Sequence, residues 1–552
     1  MKKLSIIFVI LNLAFTVFAQ EPKWSGLKLL ASKSFDYSGS IYTDRHDNYY
    51  ITGSFPNGRN IGTLIYDKPT FAINCELISL LPIANYTGFL FRFDSVQNLN
   101  LSIFVDGATL GEVLVDESEN MYISGKYMYG ASGDGFIKKY SKTGNLLWTK
   151  MVQSYTLNGY ATDGVVGSID LCKDGSIIAI VLSYGEQTSA FGKTIYGQGS
   201  FIVKLFPDGD VQWVNKITST IGFGVSKIEF DDYGNVLAGG NESVNTYGTF
   251  HAFLLKLDKA TGNIVWKKDF KGNGLFIVSA IKFVKNIYYF GGYFGKDFKT
   301  GDSIFLSSNN SNIFILQCDT SGNILWVNIA GGPGSNKISD IAVAATNDIY
   351  VTGSYSDGFK INNTIYTSKG NSDVFIFSLD SSGLFKWMKT GGSNIPAHNG
   401  DWFYNEFGSS ISIDSKNQIH ILGETIGSGN FGNLKFQVPE ESGKNVFWLT
   451  LGEKDSSYTV FSSCTESVVV DSIFSISVYP NPFIQSVNIN NLKKENSYNI
   501  TFSNSIGQVL SKRTVSNTSN SVFNLLHSAA TGIYFLNITS KEFSKTFKLI
   551  KQ

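Results

Sequence analysis

Short runs in which apolar and polar residues alternate recur along most of the chain. The run FILQCD at Phe314 places its apolar residues on one face of an extended segment, and Gly322 follows where a turn needs a positive φ. A second apolar segment with Trp326 comes next. This order predicts a β-hairpin in which Asp319 hydrogen-bonds the turn backbone and the tryptophan offers a flat surface between packed sheets.

The hairpin recurs with a tryptophan at one repeat position. The five tryptophans are separated by 65, 53, 60 and 61 residues: Trp148, Trp213, Trp266, Trp326 and Trp387. Two further short apolar segments precede each hairpin, such as ISDIAVAA ending at Ala345 and NDIYVTGSY at Asn347. We therefore expect a repeating unit of about four strands.

Seven such units can be counted, although the first, at Phe89, and the last, at Phe447, are degenerate. They begin near Gly39, Gly111, Val165, Gly224, Ser279, Lys337 and Gly408. Four-stranded units repeated radially are typical of β-propellers. The segment LKLLASKSF at Leu27 resembles the last strand of a unit, and we expect it to pair with the seventh and remove exposed sheet edges. An open solenoid is the alternative, but it needs caps, and no distinct capping sequence is present.

The first residues have the pattern of a cleaved secretory signal. Lys2 and Lys3 precede an apolar run from Leu4 to Phe18, and Ala19 follows as a small residue before the expected cleavage point. A membrane anchor is the alternative, but the run is about 15 residues, short of the ~20 needed to span a bilayer. The mature chain is predicted to hold no transmembrane segment.

After Cys464 the repeat stops and a different region begins. Short alternating segments separated by Asn, Gly and Ser turns are typical of a small β-sandwich. The predicted organisation is a signal peptide over 1–19, the propeller over 20–463, a linker over 464–476 and an Ig-like sandwich over 477–552. The predicted fold class is all-β throughout.

Several ordered motifs at the chain end resemble the type IX secretion C-terminal sorting domain, type A. They are YPNP at Tyr479, GQ at Gly507, GIY at Gly532 and a terminal KTFKLIK at Lys545. The resemblance implies that the sorting signal includes Pro480, Asn481, Pro482, Gly507, Gly532, Tyr534 and Lys548. It further implies the type IX machinery as a partner, export across the outer membrane, removal of this domain, and a secreted or cell-surface cargo. An accessory β-sandwich without a sorting role is the alternative.

The repeats of residues 27–463 resemble those called SBBP-type β-propeller repeats, which often accompany such sorting domains. This resemblance is looser than the first. It carries little functional information, because propellers host many unrelated functions.

Charge and cysteine content exclude some functions and leave others open. The chain has 45 basic and 45 acidic residues, and no basic face for nucleic acid is expected. The four cysteines, which allow three pairings, are far apart: Cys75, Cys172, Cys318 and Cys464. A disulfide between Cys75 and Cys464 is one hypothesis, since the first and seventh units would be neighbours in a closed ring.

No metal or cofactor site is predicted. The histidines of the repeats, His46, His251, His398 and His420, lie singly in distant segments, and HExxH and EF-hand motifs are missing. We expect His420 to be a packed or surface residue. Calcium at Asp208-Gly209-Asp210 is an alternative to a solvated turn. One hairpin, Asp258 to Trp266, resembles quinoprotein repeats, but the adjacent cysteines typical of that family are missing.

The skeleton D-x-x-G-x-x-x-W resembles the Asp-box of sialidases. Those enzymes need arginines from several blades, whereas this chain has only Arg45, Arg59 and Arg92 in the first unit and Arg513 near the end. We therefore interpret the Asp–Gly pairs as turn chemistry. No pair of carboxylates is marked out for acid–base catalysis.

One long connection is the candidate ligand-binding segment. Trp387 to Gly423 spans 36 residues, against 27 from Trp326 to Gly353. In a propeller this connection joins the last strand of one blade to the first of the next. Aromatic groups beside carboxylates suit sugar rings, although they also serve to pin down a long loop. The candidate residues are His398, Asp401, Trp402, Phe403, Tyr404 and Glu406.

The functional prediction is a non-catalytic binding or interaction scaffold, with a glycan or a cell-surface protein as partner. A secreted polysaccharide hydrolase or lyase is the alternative, and a purely structural surface protein is a third possibility. Carboxylates and aromatics together in a deep axial cleft would favour the enzyme. A filled or flat face would favour the scaffold.

Overall fold

A computed structural model describes most of the repeat region and much of the C-terminal region. The described residues are 21–31, 36–56, 70–73, 76–79, 86–128, 133–218, 224–243, 250–272, 274–300, 303–307, 311–395, 405–437, 444–452, 477–479, 486–490, 497–504, 508–516, 520–524, 530–540 and 544–551. They form strands and turns and contain no helix. The chain divides into two compact units, Met1–Glu466 and Ser467–Gln552.

The first unit is built from short strands in chain order. The first part holds β1 (Lys23–Ala31), β2 (Tyr37–Thr43), β3 (Tyr49–Pro56), β4 (Thr70–Ile73), β5 (Glu76–Ser79), β6 (Tyr86–Phe93), β7 (Leu99–Asp106), β8 (Ala108–Val115), β9 (Met121–Tyr127), β10 (Gly135–Tyr140), β11 (Leu146–Tyr155), β12 (Ala161–Thr162), β13 (Gly164–Leu171), β14 (Ile177–Ser183), β15 (Gln187–Ala190), β16 (Lys193–Tyr196), β17 (Gly199–Leu205), β18 (Val211–Thr218), β19 (Val225–Phe230), β20 (Val236–Ser243), β21 (Phe250–Leu257) and β22 (Ile264–Phe270). The second part holds β23 (Phe276–Val284), β24 (Ile287–Phe294), β25 (Asp297–Thr300), β26 (Ser303–Leu306), β27 (Asn312–Cys318), β28 (Ile324–Gly331), β29 (Asn336–Val343), β30 (Ile349–Tyr355), β31 (Gly358–Ile361), β32 (Thr364–Thr367), β33 (Asp373–Leu379), β34 (Phe385–Ser393), β35 (Phe407–Ile413), β36 (Ile419–Thr425), β37 (Ser428–Phe431), β38 (Leu434–Gln437) and β39 (Asn445–Gly452).

Most of these strands fall into antiparallel sets of four that follow one another along the chain, and inserted hairpins extend four of the sheets to six or seven strands. We number them sheet 1 (β2-β3-β6-β7), sheet 2 (β8-β9-β10-β11), sheet 3 (β13-β14-β17-β18), sheet 4 (β19-β20-β21-β22), sheet 5 (β23-β24-β27-β28), sheet 6 (β29-β30-β33-β34) and sheet 7 (β35-β36-β39-β1). The first strand of each sheet in this order is its innermost strand. The repeating four-strand unit predicted from the sequence is therefore observed in the described part of the chain.

The last strand of sheet 7 comes from the beginning of the chain. Strand β1 pairs antiparallel with β39, with Leu27 opposite Leu449 and Leu29 opposite Phe447. The predicted pairing of the LKLLASKSF segment with the seventh unit is confirmed. Because residues more than 400 positions apart share these backbone hydrogen bonds, the pairing ties the start of the repeat region to its end.

Hairpins inserted in the sheets reach back to the sheet before. The hairpin β15–β16 follows β14 of sheet 3, but β15 pairs with β11 of sheet 2, where Ala190 lies opposite Val152. In the same way β31 pairs with β28, β37 with β34, and β4 with β1. Each hairpin occupies an outer edge whose backbone groups would otherwise face solvent.

The predicted Asp–Gly turn chemistry is confirmed at the hairpin turns. Asp319 Oδ1 accepts hydrogen bonds from the N–H groups of Ser321 and Asn323, both at 2.9 Å. Gly322 has a φ of +79°, a region that favours glycine. Hydrogen bonds from Asn323 lower the pKa of Asp319, because they stabilise the ionised carboxylate.

The glycine and the tryptophan of the repeat meet across neighbouring sheets. The Trp213 indole N–H of sheet 3 donates to the Lys259 carbonyl in the turn of sheet 4 at 3.1 Å. A Cβ on Gly262 in that turn would lie 2.7 Å from the Trp213 ring. Sheets 4 and 5 repeat the bond, from Trp266 to the Thr320 carbonyl at 3.3 Å. The tryptophan of one hairpin thus packs on the glycine turn of the next.

The degenerate first hairpin uses different residues for the same contact. Gln97 takes the positive-φ position with φ +67°, where the regular hairpins have glycine. Lys28 on β1 of sheet 7 donates from Nζ to the Gln97 carbonyl at 2.7 Å. Burial lowers the pKa of Lys28 to about 8, and Asp94 opposes that shift. The ammonium group of Lys28 therefore donates to this turn, where a tryptophan indole donates in the regular hairpins.

The hydrophobic core lies between adjacent sheets. Ile178 and Ile202 of sheet 3 pack with Val236 and Phe253 of sheet 4 in one buried cluster. Equivalent clusters join other neighbouring sheets, for example Phe89 of sheet 1 with Trp448 of sheet 7. Sheet-on-sheet packing of this kind is stabilised mainly by burial of apolar area, at roughly 25 cal/mol per Å².

The second unit has two described sheets. Its strands are β40 (Ser477–Tyr479), β41 (Ser486–Asn490), β42 (Ser497–Asn504), β43 (Val509–Ser516), β44 (Asn520–Asn524), β45 (Gly532–Thr539) and β46 (Ser544–Lys551). One sheet has the order β40-β41-β44 and the other β43-β42-β45-β46. Val487 and Ile489 of the first sheet share a buried cluster with Ile500, Phe502 and Leu536 of the second. Two sheets therefore enclose a single core.

A matched pair of glycine substitutions tests the tryptophan–glycine contact. Gly159→Ala should cost about 1 kcal/mol, because its φ is +80° and nothing lies within 4 Å of an added Cβ. Gly262→Ala should cost about 1–3 kcal/mol more, since the methyl group also meets the Trp213 ring. Urea unfolding of both variants measures the difference. Equal losses of stability would show that the contact contributes nothing.

Candidate functional site

One cavity is lined by the innermost strands of sheets 1 to 7. Its volume is about 340 Å³. Each innermost strand has an irregular register against its neighbour, as between Leu110 and Val113 in sheet 2. Such bulges change the direction in which the neighbouring side chains point. The polar and charged lining residues are Ser40, Tyr42, Thr43, Glu112, Ser168, Asp170, Lys227, Glu229, Lys282, Asp340, Ser409, Ser410 and Ser412.

Acidic side chains in this axial cavity accept backbone N–H groups of the next sheet. Glu112 Oε2 of sheet 2 accepts from Ile169 N–H at 2.6 Å. Asp170 of sheet 3 accepts from Phe230 N–H at 2.6 Å, and Glu229 of sheet 4 from Phe283 N–H at 2.9 Å. Asp340 of sheet 6 accepts from Ile411 N–H at 3.0 Å. These four carboxyl groups therefore fasten neighbouring sheets together.

Serine hydroxyls take the acceptor role of the carboxylates at two further contacts between sheets. Ser40 Oγ of sheet 1 accepts from Val113 N–H of sheet 2 at 2.9 Å. Ser410 Oγ of sheet 7 accepts from Ile41 N–H of sheet 1 at 3.3 Å. Between sheets 5 and 6 the Ser279 hydroxyl donates to the Ile338 carbonyl at 2.6 Å, as the Ser226 hydroxyl donates to the Val278 carbonyl between sheets 4 and 5.

Two lysines neutralise part of the negative charge. Lys227 Nζ lies 2.5 Å from Glu112 Oε1, and Lys282 Nζ lies 3.4 Å from Glu229 Oε2. Glu229 is the main cause that raises the pKa of Lys282. Burial works to lower the pKa of Lys227, but Glu112 and Asp340 outweigh it and raise that pKa. Both lysines are therefore charged at neutral pH.

Two of the axial carboxyl groups have raised pKa values. Burial raises the pKa of Asp170 to about 6, although the Phe230 N–H and Lys282 oppose the shift. Burial likewise raises the pKa of Glu229 to about 7, against the attraction of Lys282. A carboxyl group with a pKa near neutrality suits proton transfer. Each of these groups, however, already accepts a backbone hydrogen bond from a neighbouring sheet.

Tyr42 is the aromatic side chain that lines the cavity in the described part of the chain. Burial raises the pKa of its phenol. Sugar recognition commonly uses aromatic rings that stack on the ring faces of the sugar. The cavity therefore combines four carboxyl groups with a single described aromatic ring.

The candidate ligand segment is described only at its ends. His398, Asp401, Trp402, Phe403 and Tyr404 lie outside the described residues. Glu406 is described, and its side chain is buried between sheets 6 and 7. Its Oε2 accepts from the Ser393 N–H at 2.6 Å. Within the described residues, Glu406 thus serves as a contact between sheets.

The predicted packed role of His420 agrees with its surroundings. The ring is fully buried, and Nδ1 accepts from the Trp448 indole N–H at 3.2 Å. Its Nε2 lies 3.4 Å from Asp414 Oδ2. Burial lowers the pKa of His420, while Asp414 opposes the shift.

The described residues contain no group of three or more His, Cys, Asp or Glu side chains placed to hold a metal ion.

Two of the four cysteines are described. Cys172 is partly buried and Cys318 is buried, and both are free thiols. Burial raises the pKa of the Cys318 thiol to about 12. Cys75 and Cys464, the pair of the disulfide hypothesis, lie outside the described residues.

The sorting motifs are described in part. Pro480, Asn481, Pro482 and Gly507 lie outside the described residues. The Tyr534 hydroxyl donates to the Ala530 carbonyl at 2.6 Å, and its ring stacks on Phe502 with centroids 5.0 Å apart. Gly532 begins β45, and Lys548 on β46 lies opposite Phe535. Tyr534 therefore helps build the core of this unit.

The axial residues are absent from the sequence-based candidates, yet the sequence carries a signal for them. Each innermost strand contains a Gly or Ser, a variable residue, an Ile or Val, and a second variable residue, as in GSID at Gly167 and SKIE at Ser226. The two variable positions of each motif lie at the axis, and most of them line the cavity. The remaining motifs are GSIY, GEVL, SAIK, SDIA and SSIS.

Residues 477–552 match the family described as "Secretion system C-terminal sorting domain". The predicted sorting domain is confirmed. The protein is secreted or attached to the cell surface, and its C-terminal domain interacts with the type IX secretion machinery. In the described residues, no helix has the length and apolar character to span a bilayer.

No curated protein matches the chain. Among solved structures, the chain is similar to the Dos1 propeller, with 9% identity, 77% of this chain and 95% of that chain covered, and a TM-score of 0.38. The polysaccharide lyase Uly1 is also 9% identical, with 78% and 99% coverage and a TM-score of 0.38. A puromycin hydrolase is 9% identical, with 70% and 58% coverage and a TM-score of 0.30. The strands of the described residues confirm the predicted all-β class. The TM-scores of these likenesses are below 0.5, so nothing about chemistry or blade number follows from them.

Removal of one axial carboxylate should loosen the contact between two sheets. Glu112→Ala leaves the Ile169 N–H and Lys227 without their acceptor, and we expect a loss of about 1–3 kcal/mol of unfolding free energy. Glu242→Ala is the control, since Glu242 pairs with Lys267 at the surface and such pairs contribute about 0–1 kcal/mol. Denaturant unfolding measures both. Similar losses for the two variants would contradict the fastening role.

Proposed function

We propose that this chain is an exported binding scaffold. It consists of a signal peptide over 1–19, a closed seven-bladed propeller of SBBP-type repeats over 20–463, a linker over 464–476 and an Ig-like sorting sandwich over 477–552. The propeller presents its loops to a glycan or a cell-surface protein. It has no catalytic role.

Closure into seven blades is supported by contacts between the first and last sheets. Ile41 N–H of sheet 1 donates to Ser410 Oγ of sheet 7, and the Thr43 and Ser412 hydroxyls lie 2.7 Å apart. Ser415 N–H of sheet 7 donates to Asp47 Oδ1 of sheet 1 at 2.8 Å. A single cavity bordered by every innermost strand is the arrangement that a closed ring produces.

The scaffold role rests on how the axial charges are used. Each of the four axial carboxyl groups accepts a backbone N–H from the next sheet, and two of them also pair with lysines. A general acid or base must be within reach of a substrate proton. Carboxyl groups that already bond neighbouring sheets and lysines are better explained as structural groups of a rigid frame than as catalytic groups.

The ligand contacts are assigned to the connection between sheets 6 and 7. His398, Asp401, Trp402, Phe403 and Tyr404 give it aromatic, acidic and basic groups together. Loops on a rigid frame are common sites of recognition. Aromatic rings in this composition suit the faces of sugars, and the carboxylate of Asp401 suits their hydroxyl groups.

A second candidate is a polysaccharide hydrolase or lyase that uses the axial cavity. The observation that favours it is the pair Asp170 and Glu229, whose pKa values of about 6 and 7 suit an acid catalyst at neutral pH. The single described aromatic ring in the cavity weighs against it.

A binding screen distinguishes the ligand site from the rest of the surface. Trp402→Ala should abolish glycan binding by the mature chain, because it removes the largest aromatic surface of the segment. Tyr196→Ala is the control, since Tyr196 is 71% exposed on the hairpin β15–β16. A glycan array and calorimetry measure binding. Equal binding by both variants would place the site elsewhere, and no binding by wild type would leave a protein partner.

Product analysis tests the enzymatic alternative. If the axial cavity is catalytic, wild type incubated with polysaccharide should yield shorter products, and Glu229→Gln should reduce their rate of formation at least ~100-fold. Glu117→Gln, an exposed turn carboxylate, should have no effect. Absence of products from wild type across a polysaccharide panel would support the scaffold.

A further inference from the structure

Two buried carboxyl groups lie side by side between sheets 6 and 7. Asp373 begins β33, Glu406 precedes β35, and each side chain is 1% exposed. Both carboxyl groups lie against Gly392 on β34. A Cβ on Gly392 would lie 2.6 Å from Glu406 Oε2 and 2.9 Å from Asp373 Oδ1. Any residue with a Cβ at position 392 would leave no room for both carboxyl groups.

Hydrogen bonds hold the two groups in place. Glu406 Oε2 accepts from Ser393 N–H at 2.6 Å, and Oε1 accepts from the Thr425 hydroxyl and from Ile426 N–H. Both carboxyl oxygens of Asp373 accept from the single backbone N–H of Lys369, each at 3.2 Å. The Glu406 carboxyl group thus joins β34 of sheet 6 to the end of β36 of sheet 7.

No ammonium group neutralises the pair among the described residues. The nearby Lys369 directs its Nζ to Asn430 Oδ1 at 2.8 Å and acts on Asp373 only at longer range. The other titratable group facing the pair is Tyr355 on β30, which hydrogen-bonds Asp373. Thr425 and Ile426, on the sheet 7 side, carry no charge.

The neighbouring contact between sheets 5 and 6 has the same backbone arrangement with amides. Ser311 and Asn336 exchange hydrogen bonds there, as Ser372 and Glu406 do between sheets 6 and 7. Asn312 occupies the position of Asp373, against Gly331. The contact between sheets 5 and 6 is therefore made by neutral side chains, whereas the equivalent contact between sheets 6 and 7 contains two acids.

We propose that Asp373 and Glu406 form a proton-dependent clasp between sheets 6 and 7. While the pair holds one proton, the clasp is closed. When that proton leaves, two negative charges lie together in a buried place, and their repulsion loosens the contact. The bond from Ser393 to Glu406 also joins the two ends of the segment that carries the candidate ligand residues. This inference is independent of the proposed function.

The proton affinities agree with this geometry. Burial is the main cause that raises the pKa of Glu406 to about 7, and Asp373 adds to it. Burial also raises the pKa of Asp373. An acid whose pKa is raised by folding stabilises the folded state below its unfolded pKa. That stability is lost as the pH rises through the folded value. The clasp should therefore weaken between about pH 5 and pH 8.

Thermal unfolding of the mature chain between pH 5 and pH 8.5 tests the clasp. Wild-type Tm should fall as the pH rises, and Glu406→Gln should fall by at least 3 °C less across that range. Asp170 and Glu229 titrate in the same direction, so the difference between the two curves is the measured quantity. Glu117→Gln, an exposed carboxylate, should follow wild type. Parallel curves for wild type and Glu406→Gln would overturn the proposal.

Two further measurements remain informative even when Glu406→Gln folds poorly. Asp373→Asn removes the repulsion and should shift the pH-dependent fall in Tm to lower pH. In wild type, hydrogen exchange at the Ser393 and Ile426 amides, corrected for intrinsic rates, should be at least 5-fold faster at pH 8 than at pH 5.5. The amide of Asn336 in the neutral contact should change less than 2-fold. Equal protection at both pH values would overturn the proposal.

Discussion

The structure depends on side-chain acceptors for backbone N–H groups along the inner edges of the sheets. The innermost strand of each sheet has a partner strand on one side only, and an unpaired buried N–H costs about as much as a lost hydrogen bond. Glu112, Asp170 and Asp340 each satisfy such a group in the following sheet. Ser40 and Ser410 accept such groups in the same way. The acceptors along the axis therefore differ in residue type but make the same kind of hydrogen bond.

A second, outer set of contacts repeats around the first unit. Trp213 and Trp266 pack on the turn of the next hairpin and donate to its backbone. Inserted hairpins such as β15–β16 pair with the outer edge of the sheet before. Each sheet is thus fixed to its neighbours at the axis and at the periphery.

The sequence predicts the fold further than it predicts the site. Alternation and the spaced tryptophans indicate the strands and the repeat, because both follow from local side-chain periodicity. The pairing of β1 with β39 could be predicted because Leu27 begins a segment that resembles a missing strand. The pairing of β15 with β11 could not, since nothing local in a four-residue strand indicates that its partner belongs to the preceding sheet.

The axial residues show the limit of residue-type reasoning. The bulges that bring Glu112 and Lys227 together arise from register shifts, which alternation does not reveal. Glu406 shows the opposite case, since its residue type and its position in a long connection place it among the predicted ligand residues. Its side chain instead accepts hydrogen bonds from both adjoining sheets. Residue type alone cannot distinguish a carboxyl group that binds a ligand from one that joins two sheets, because both roles need a carboxyl group near a loop.

Stability and chemistry are coupled at the axis. Glu229 has a pKa suited to proton transfer, but one of its oxygens accepts Phe283 N–H and the other pairs with Lys282. A catalytic group gains and loses a proton in each turnover and must move little while doing so. Here each protonation would weaken the ion pair, and each substrate contact would compete with a bond that joins sheets 4 and 5. A cavity built in this way stabilises the contacts between sheets best when its carboxyl groups keep their partners, and that requirement supports the proposed scaffold role.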